Sequence, residues 1–393
     1  MKRILILGAS VLQLPAIYKA KEMGLYVGVI DYNPDAIGIS FADEYFNKST
    51  FDERGVYEVA KVFKADGIMT LATDMPMRSI AYTCERLGLP GISQTTAMKT
   101  TDKGEMIKAF KAHNVEHPWF HILNSFSEAE QLKDSIQYPC ICKPTDSSGS
   151  RGVILIKDKL DFCDGIKYSF KNSPRGHIII EEYLQGNEVS VEIIVIDGKP
   201  HILQVTDKLT TGAPHFVEMG HSQPSSLADE NVEKIKELAG KAALSVGIQN
   251  GPAHAEIIMT SGGSKMVEIG ARLGGDCITT HLVPLSTGID MVKAVIQMAL
   301  GEKPNLEKKI DKGAAIRYFN APQGVIKEII GVEKAKAIAG IYEITFVKKV
   351  NDYACHIDSS VDRIGYVIAQ DTNSKQAILT CESAIMEINI KTI

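Results

Sequence analysis

The feature that most constrains the fold is a change in the order of secondary-structure patterns near residue 119. Before it, short β-rich runs at 3–7, 26–30 and 67–71 alternate with helical patterns, which predicts a doubly wound, mostly parallel sheet. From 119 to 220, hairpin-like strands follow one another instead, which predicts an α+β arrangement. The chain therefore combines an α/β region with an α+β region.

A chain of 393 residues is too long for one ordinary core, so we expect two or three domains. The patterns predict a doubly wound unit at 1–95 and a central unit at 96–305. A small α+β unit at 306–393 completes the chain. Below, these are called the first, central and last units.

Composition excludes several partners. The net charge is −5 and no long basic block is present, so a nucleic acid partner is not expected. No apolar run reaches the length of a membrane span. The seven cysteines have no metal-ligand spacing, which favours a reduced, cytoplasmic protein without cysteine-bound metal.

The first strand ends at Gly8 and the second ends at Asp31, an arrangement that partly matches a dinucleotide-binding fingerprint. The remaining glycines of G-x-G-x-x-G are missing. A nicotinamide-dependent oxidoreductase is therefore the weaker alternative. We expect Gly8 to close a tight turn at the sheet edge, where a small substrate could bind.

The stretch ICKPTDSSGSRGVILI places Lys143 inside an apolar strand and follows it with a polar turn containing two glycines. It is not a Walker A motif, which needs G-K-[ST] leading into a helix. A hairpin turn can still bind polyphosphate if backbone N–H groups converge and a cation is within reach. A mobile surface turn with a snorkelling lysine is the alternative. The candidate phosphate contacts are Lys143, Ser147, Ser148, Gly149, Ser150 and Gly152.

The stretch HIIIEEYLQGNEVSVE ends an apolar strand in Glu181, Glu182, Tyr183 and Leu184, and Glu188 follows a Gly-Asn turn. Backbone groups that leave a buried strand can bind an adenine edge, and nearby carboxylates can accept from the exocyclic amine and the ribose hydroxyls. A strand end carrying a solvated acidic pair is the alternative.

The strongest chemical signal is the hairpin AHAEIIMTSGGSKMVEIGAR, in which Glu256 and Glu268 flank a Ser-Gly-Gly-Ser turn. In a register that closes at residues 260 and 264, the two carboxylates stand directly opposite each other. Facing like charges repel unless a cation lies between them. Oxygen-only ligands indicate Mg²⁺ or Mn²⁺, held jointly with phosphate oxygens. In the alternative register one glutamate faces solvent.

The hairpin is followed by Arg272, which could clamp a carboxylate or phosphoryl group bidentately. Gly274 and Gly275 could form a backbone anion nest, although Gly-Gly also serves any sharp turn.

The order of these motifs resembles the ATP-grasp superfamily, and within it the carboxylate–amine ligases of the L-amino-acid-ligase and carbamoyl-phosphate-synthase-like group. The first unit is similar to a Rossmann-like preATP-grasp domain, and the segment DSSVDRIGYVIAQDTNSKQAI is similar to the closing segment of biotin carboxylases. The resemblance implies that the central unit is a two-part ATP-grasp domain whose lid-bearing part covers about 120–185. The resemblance implies nucleotide-contacting lysines at Lys103 and Lys143, a flexible lid at 147–152 and an adenine-amine acceptor at Glu181. It further implies a backbone clamp at Tyr183 and Leu184, a ribose carboxylate at Glu188, metal-bridging Glu256 and Glu268, and Arg272 steadying the acyl or phosphoryl group.

Two further features bear on the resemblance. Many members carry asparagine two residues after the second metal glutamate, where this chain has Gly270, so the number of metal ions is left open. The stretch HFVEMGHSQPS resembles the substrate-side strand of amino-acid ligases, and His215 and His221 could line that pocket. For each histidine, a core or surface position is the alternative.

The resemblance implies an ATP- and Mg²⁺-dependent ligase that joins a carboxylate to an amine through an acyl phosphate and releases ADP and phosphate. A biotin-carboxylase-like enzyme and a formate-using purine-synthesis transferase are alternatives within the class. A non-enzymatic ATP-binding module is the alternative from another class. A homodimer is expected from the relatives, and the acid and amine are not specified.

Overall fold

The computed structural model describes residues 1–147, 149, 151–213 and 216–393. The predictions for Ser148, Ser150 and His215 therefore lie outside the described residues. Within the described part of the chain the strands form four sheets, of four, eight, three and four strands.

The first sheet is parallel, with strand order β3-β2-β1-β4. Alternation of strand and helix predicts this arrangement, and the mixed α/β fold class is confirmed. The short strand β3 was not predicted. Gly8 has a φ of 95°. Asp31 accepts a hydrogen bond from the backbone N of Ala9 at 2.8 Å, so the carboxylate at the end of β2 fixes the loop that follows β1. The elements are β1 Arg3–Leu7, α1 Leu14–Glu22, β2 Tyr26–Asp31, a 3₁₀ helix Ile37–Phe41, β3 Glu44–Asn47, α2 Glu53–Phe63, β4 Gly67–Met69 and α3 Pro76–Leu87.

Two helices lead from this sheet into the rest of the chain, α4 Gln94–Thr101 and α5 Lys103–Ala112. The sequence predicts one helical region over 96–115. It divides at Asp102, whose extended backbone ends α4 and whose side chain accepts from Gly104 N and Glu105 N to cap α5. This cap places Lys103 at the first turn of α5.

A four-stranded antiparallel sheet follows, in the order β5-β8-β6-β7. Its buried core includes Cys140, Cys142 and Phe162, so these two cysteines are core thiols. The elements are β5 Phe120–Leu123, α6 Phe126–Leu132, β6 Cys140–Pro144, β7 Ile154–Ile156, α7 Phe162–Lys171 and β8 Ile178–Glu182.

The largest sheet has eight strands in the order β13-β12-β9-β10-β11-β14-β18-β16. It continues across residue 305, because β11 of the central unit pairs with β14 of the last unit. The domain boundaries near 95 and 305 stay predictions. The elements are β9 Gly186–Ile196, β10 Lys199–Thr210, β11 Glu218–Gln223, α8 Asp229–Ser245, β12 Gly251–Thr260, β13 Gly263–Gly270, a π-helix Ile278–Leu282, α9 Val283–Thr287, α10 Met291–Ala299, β14 Gly313–Tyr318, β16 Ile341–Phe346, β18 Gly365–Asp371 and α12 Ser374–Glu387.

A three-stranded sheet in the order β17-β15-β19 completes the last unit. Its elements are β15 Gly324–Ile330, α11 Val332–Lys336, β17 Tyr353–Ala354 and β19 Asn389–Thr392, and a 3₁₀ helix Ser360–Asp362 precedes β18. Among the described residues, no single helix has both the length and the apolarity of a membrane span. The pair 278–287 and 291–299 meets both measures together, but its two halves are bent by 115°.

Candidate active site

Lys103 connects the two sheets at the point where the candidate residues gather. Its Nζ donates to the carbonyl oxygen of Ser147 at 2.8 Å, in the loop after β6, and to Glu268 Oε1 at 3.0 Å, on β13. Burial opposes the charge, but Glu268 and the more distant Asp74 and Glu181 raise the pKa of Lys103 above its ordinary value. The loop of the small sheet and the hairpin of the large sheet therefore border one site.

Lys143 and Glu181 form a buried ion pair on one face of the small sheet. In the register of β6 and β8, Lys143 lies opposite Ile179 and Glu181 lies opposite Ile141, so alternation directs both side chains to the same face. The Nζ–Oε2 distance is 2.6 Å and each side chain is 7% exposed. Each residue is the other's partner here, whereas the sequence assigns them separately to phosphate and adenine.

Glu182 points to the opposite face from Glu181. It pairs with Lys265 at 2.7 Å and accepts from the backbone N of Trp119 at 3.3 Å. Tyr183 and Leu184 lie in the short connection from β8 of the small sheet to β9 of the large sheet, and Leu184 is buried. The expected adenine clamp is thus located at the junction of the two sheets.

The loop after β6 depends on its glycines. Gly149 and Gly152 have φ values of 64° and 79°, which favour glycine. A Cβ at Gly152 would lie 2.7 Å from both Pro144 Cγ and Asn172 Cβ, so a side chain there would also collide with its neighbours. Gly149 and Gly152 are consequently a structural requirement, in addition to any contact with phosphate.

Glu256 and Glu268 are directly opposite each other on β12 and β13. The expected closure at 260 and 264 is wrong, because Thr260 pairs with Gly263. A register shift between Glu256 and Ile257 restores the predicted pairing of the two glutamates.

Each facing glutamate has its own cationic neighbours. Glu268 contacts Lys103, while Glu256 lies 3.4 Å from Lys208 Nζ and 3.5 Å from His254 Nε2. Although burial favours the neutral carboxyl, Lys208, His254 and the nearby Arg272 hold the pKa of Glu256 well below its ordinary value. Glu256 is therefore ionised and able to bind a cation.

Lys208, on β10, was missed by the sequence analysis. Its side chain is 3% exposed, and its Nζ lies 2.6 Å from Glu188, 3.7 Å from Glu218 and 3.4 Å from Glu256. Burial opposes the charge, but the three carboxylates raise the pKa of Lys208. The same signal that singled out Lys143, a lysine within a half-buried strand, was present here in ILQVTDKLT.

Beneath Glu256 lies a second buried pair. His254 Nδ1 is 2.7 Å from Glu192 Oε1, and Glu192 is fully buried. Burial opposes protonation, yet Glu192 and Glu256 raise the pKa of His254 to about 9. A Cβ at Gly274 would lie 2.6 Å from His254 Nδ1, so this glycine permits the turn to pass directly over the pair.

Arg272 pairs bidentately with Asp74, a residue of the first unit that the sequence analysis did not identify. The Nε–Oδ1 distance is 2.7 Å and the Nη2–Oδ2 distance is 3.3 Å. Burial opposes the charge, and Asp74 raises the pKa of Arg272.

Asp276 and Arg363 form the corresponding pair with the last unit. Arg363 donates to both carboxylate oxygens of Asp276, at 2.7 and 2.9 Å, and its guanidinium lies 3.8 Å from the ring centroid of Tyr318. His221 is buried with Nε2 3.4 Å from Asp276. Burial favours the neutral carboxyl, but His221 and Arg363 lower the pKa of Asp276. Of the two histidines in the predicted substrate strand, His221 thus lies beside Asp276, and His215 lies outside the described residues.

The donor set fits a hard divalent cation that also binds nucleotide oxygens. Among residues 1–147, 149, 151–213 and 216–393, no three His, Cys, Asp or Glu side chains converge in a metal-binding group. Two facing glutamates supply only oxygen ligands, and Mg²⁺ characteristically takes one or two carboxylates together with substrate phosphates. Glu256 and Glu268 are the residues that would hold the metal.

The facing glutamates and the loop after β6 border one site between the eight-stranded sheet and the small four-stranded sheet. Residues 136–280 match the ATP-grasp domain family and residues 317–392 match L-amino acid ligase C-terminal domain 2. The chain thus contains an ATP-grasp domain followed by an L-amino acid ligase C-terminal domain, and the resemblance stated from the sequence is confirmed.

Among curated proteins, the chain is 27% identical over 314 residues to alanine–anticapsin ligase of Bacillus subtilis, covering 74% of this chain and 66% of that protein. Among solved structures, phosphoribosylglycinamide synthetase from Anaerococcus prevotii aligns over 100% of both chains with a TM-score of 0.82 and 27% identity. L-amino acid ligase from Bacillus licheniformis aligns over 100% of this chain and 99% of its own with a TM-score of 0.87 and 22% identity.

These matches confirm, at the level of the family, the predicted ADP-forming carbon–nitrogen ligase and the predicted use of ATP with Mg²⁺. The chain is similar to ATP-grasp carboxylate–amine ligases. The roles of the individual site residues, the substrates, the homodimer and the cytoplasmic location stay predictions.

Proposed function

We propose that this protein joins a carboxylate to an amine in an ATP-dependent reaction that passes through an acyl phosphate and releases ADP and phosphate. The observation that carries the proposal is the facing pair Glu256 and Glu268, connected through Lys103 to the carbonyl of Ser147 in the loop after β6. One lysine thereby brings the proposed metal ligands and the proposed phosphate loop to the same place.

Mg²⁺ bound with ATP would neutralise charge on the transferring phosphoryl group. Glu256 and Glu268 would hold it, and Lys103 is the cation nearest to both this pair and the loop. Lys143 and Glu181 would bind the nucleotide on the small-sheet side, where they already fix each other's position. Preorganised charge of this kind is the usual source of rate enhancement in phosphoryl transfer.

We assign binding of the carboxylate substrate and its acyl phosphate to the turn after β13. Arg272 and the backbone N–H groups of Gly274 and Gly275 would bind the acyl phosphate. Arg272 reaches this position from the end of the strand that carries Glu268, so metal ligand and arginine are fixed to one β-strand and its continuation.

Two relatives support small amino-acid-like substrates. Alanine–anticapsin ligase and L-amino acid ligase are named for amino-acid substrates, and the second aligns along the whole chain. We therefore assign an amino acid or a related acid as the carboxylate, and an amino compound as the acceptor. The phosphoribosylglycinamide synthetase alignment supports the same bond-forming chemistry.

The test is to incubate the purified protein with ATP, Mg²⁺ and pools of amino acids, other carboxylic acids and amines, and to measure phosphate and nucleotide products. We expect phosphate and ADP only when an acid and an amine are both present. Formation of AMP would contradict the acyl-phosphate route. Bound ATP without turnover across all pools would favour the non-enzymatic binding module.

A further inference from the structure

Asp74 lies in the loop between β4 and α3, far in sequence from the central site. Its carboxylate nevertheless contacts Arg272 through two oxygens, and the two side chains are only 15% and 14% exposed. Charge-assisted bidentate pairs of this kind fix orientation as well as position. The direction in which Arg272 points is therefore set by a residue of the first unit.

Gly270 explains how the carboxylate fits. A Cβ at this position would lie 2.6 Å from Asp74 Oδ1 and 3.2 Å from Arg272 Nε. Gly270 does not have the left-handed φ that would itself require glycine. Hence the backbone would accept alanine, and the obstacle to a side chain at residue 270 is the Asp74–Arg272 pair.

The loop that carries Asp74 is held in place independently. Gln13 Nε2 donates to the carbonyl oxygen of Leu71 at 2.7 Å, and Gln13 is buried. Ala72 has a left-handed φ of 60° although it is not glycine. A Cβ at Gly275 would contact the Cβ of Ala72 at 3.6 Å. A strained, pinned loop that packs on the site turn is typical of functional positions.

We propose that Asp74 is a positioning residue of the ligation: it directs Arg272 toward the Gly274–Gly275 turn, and Gly270 is required because it leaves room for this carboxylate. The inference rests on the proposed function for the role of Arg272. It adds that the first unit takes part in the reaction by orienting the arginine that would bind the acyl phosphate.

The experiment is a double-mutant cycle with Asp74→Ala, Gly270→Ala and the combined variant, in the full chain. The acid–amine pair with the fastest ADP release in the pool test is the probe, and MgADP affinity and the melting temperature are measured alongside. Gly262→Ala is the matched control, since it lies in the turn of the same hairpin and its Cβ would be 3.7 Å from its nearest neighbour, Thr260 Oγ1.

We expect Asp74→Ala and Gly270→Ala each to lower kcat about 10- to 100-fold, because small misplacements at a reacting centre are costly. MgADP affinity should change less than about twofold. The combined variant should be no slower than Asp74→Ala, because the methyl group added at residue 270 then has no carboxylate to displace. The Gly262→Ala variant should behave as the wild type.

Wild-type kinetics for Asp74→Ala, or a combined variant that loses the product of the two single effects, would overturn the proposal. If Asp74→Ala does not fold, Asp74→Asn keeps the volume and should still lower kcat. Crystal structures of Gly270→Ala provide a readout without turnover: Asp74 displaced and Arg272 reoriented supports the inference, and an unchanged pair refutes it. Absence of turnover by the wild type would instead count against the proposed function.

Discussion

The two antiparallel strand pairs that border the site accommodate buried charge differently. On β6 and β8, one lysine meets one glutamate, Lys143 and Glu181, and both are almost fully buried. On β12 and β13, two glutamates face each other and each is about a quarter exposed. Their compensating cations, Lys103 and Lys208, come from other elements.

This contrast indicates which of the two strand pairs has balanced charge without a bound ligand. The Lys143–Glu181 pair is neutral as it stands. Around Glu256, Lys208 serves three carboxylates, Glu188, Glu218 and Glu256, while His254 is shared with Glu192. The β12–β13 hairpin therefore retains excess negative charge at a place open enough for a metal, and this is the side where ligand binding should change stability most.

The largest effect is expected for Glu268→Ala. Loss of one of two facing carboxylates should lower Mg²⁺-dependent turnover by about 1000-fold or more, since the metal supplies several kcal/mol of charge stabilisation. Glu268 is 29% exposed but its partner Lys103 is only 11% exposed, so the fold should remain cooperative with a stability loss of about 1–3 kcal/mol. Turnover and urea unfolding measure the two quantities, and Glu328→Ala, in an exposed pair with Lys391, is the control. If Glu268→Ala retained its Mg²⁺-dependent turnover, Glu268 would not be a ligand of the metal.

Lys208→Met comes next and acts on stability. It leaves three carboxylates without their shared cation, and we expect the free energy of unfolding to fall by about 2–4 kcal/mol. Urea unfolding with and without Mg²⁺ measures this, and the loss should be smaller with Mg²⁺ because a metal can take over part of the compensation. Lys208→Arg keeps the charge and should lose less. A loss below about 0.5 kcal/mol would show that the carboxylates need no common cation.

Lys143→Ala should weaken MgATP binding about 10- to 100-fold, the range for a lost hydrogen bond to a charged group. Isothermal titration calorimetry with MgATP gives the affinity directly. Glu181 would lose its ion-pair partner, so the melting temperature is measured in parallel. An unchanged affinity would leave this pair with a structural role alone.

The smallest effect is expected for Lys265→Ala, the matched control for Lys143→Ala. It breaks the ion pair with Glu182, which follows Glu181 on β8 and points to the opposite face of the sheet. Both side chains of this pair are about 30% exposed. We expect a stability loss of about 0.2–1 kcal/mol and no change in MgATP affinity. A marked change in affinity would show that Glu182 contributes to nucleotide binding after all.

Local sequence patterns predicted most of the fold because they record which face of an element is buried. Alternation of strand and helix indicated the parallel sheet, and apolar runs broken by Gly-rich turns indicated the hairpins. Strand β3, with the sequence EYFN, is too short and too polar for such a pattern. The helical region 96–115 divides at Asp102 because capping by one side chain outweighs the continuous apolar periodicity.

In the candidate site, contacts between nearby stretches of sequence were predicted and contacts between distant stretches were missed. Glu256 and Glu268 were found because a hairpin register relates two nearby stretches, and even there a bulge had to compensate for a wrong turn. Asp74 and Arg363 were missed because they reach Arg272 and Asp276 from distant parts of the chain. Spacing within one stretch contains no information on such contacts.

The chain enters and leaves the small four-stranded sheet at neighbouring points. The backbone N of Glu182, where the chain leaves it, donates to the carbonyl of Trp119, where the chain arrives, at 3.0 Å. A segment with adjoining ends can be transplanted between proteins with little disturbance of the host. We therefore expect chimaeras that exchange residues 119–182 with a homologue to fold, carrying Lys143, Glu181 and the loop after β6 with the segment and leaving Glu256 and Glu268 with the recipient.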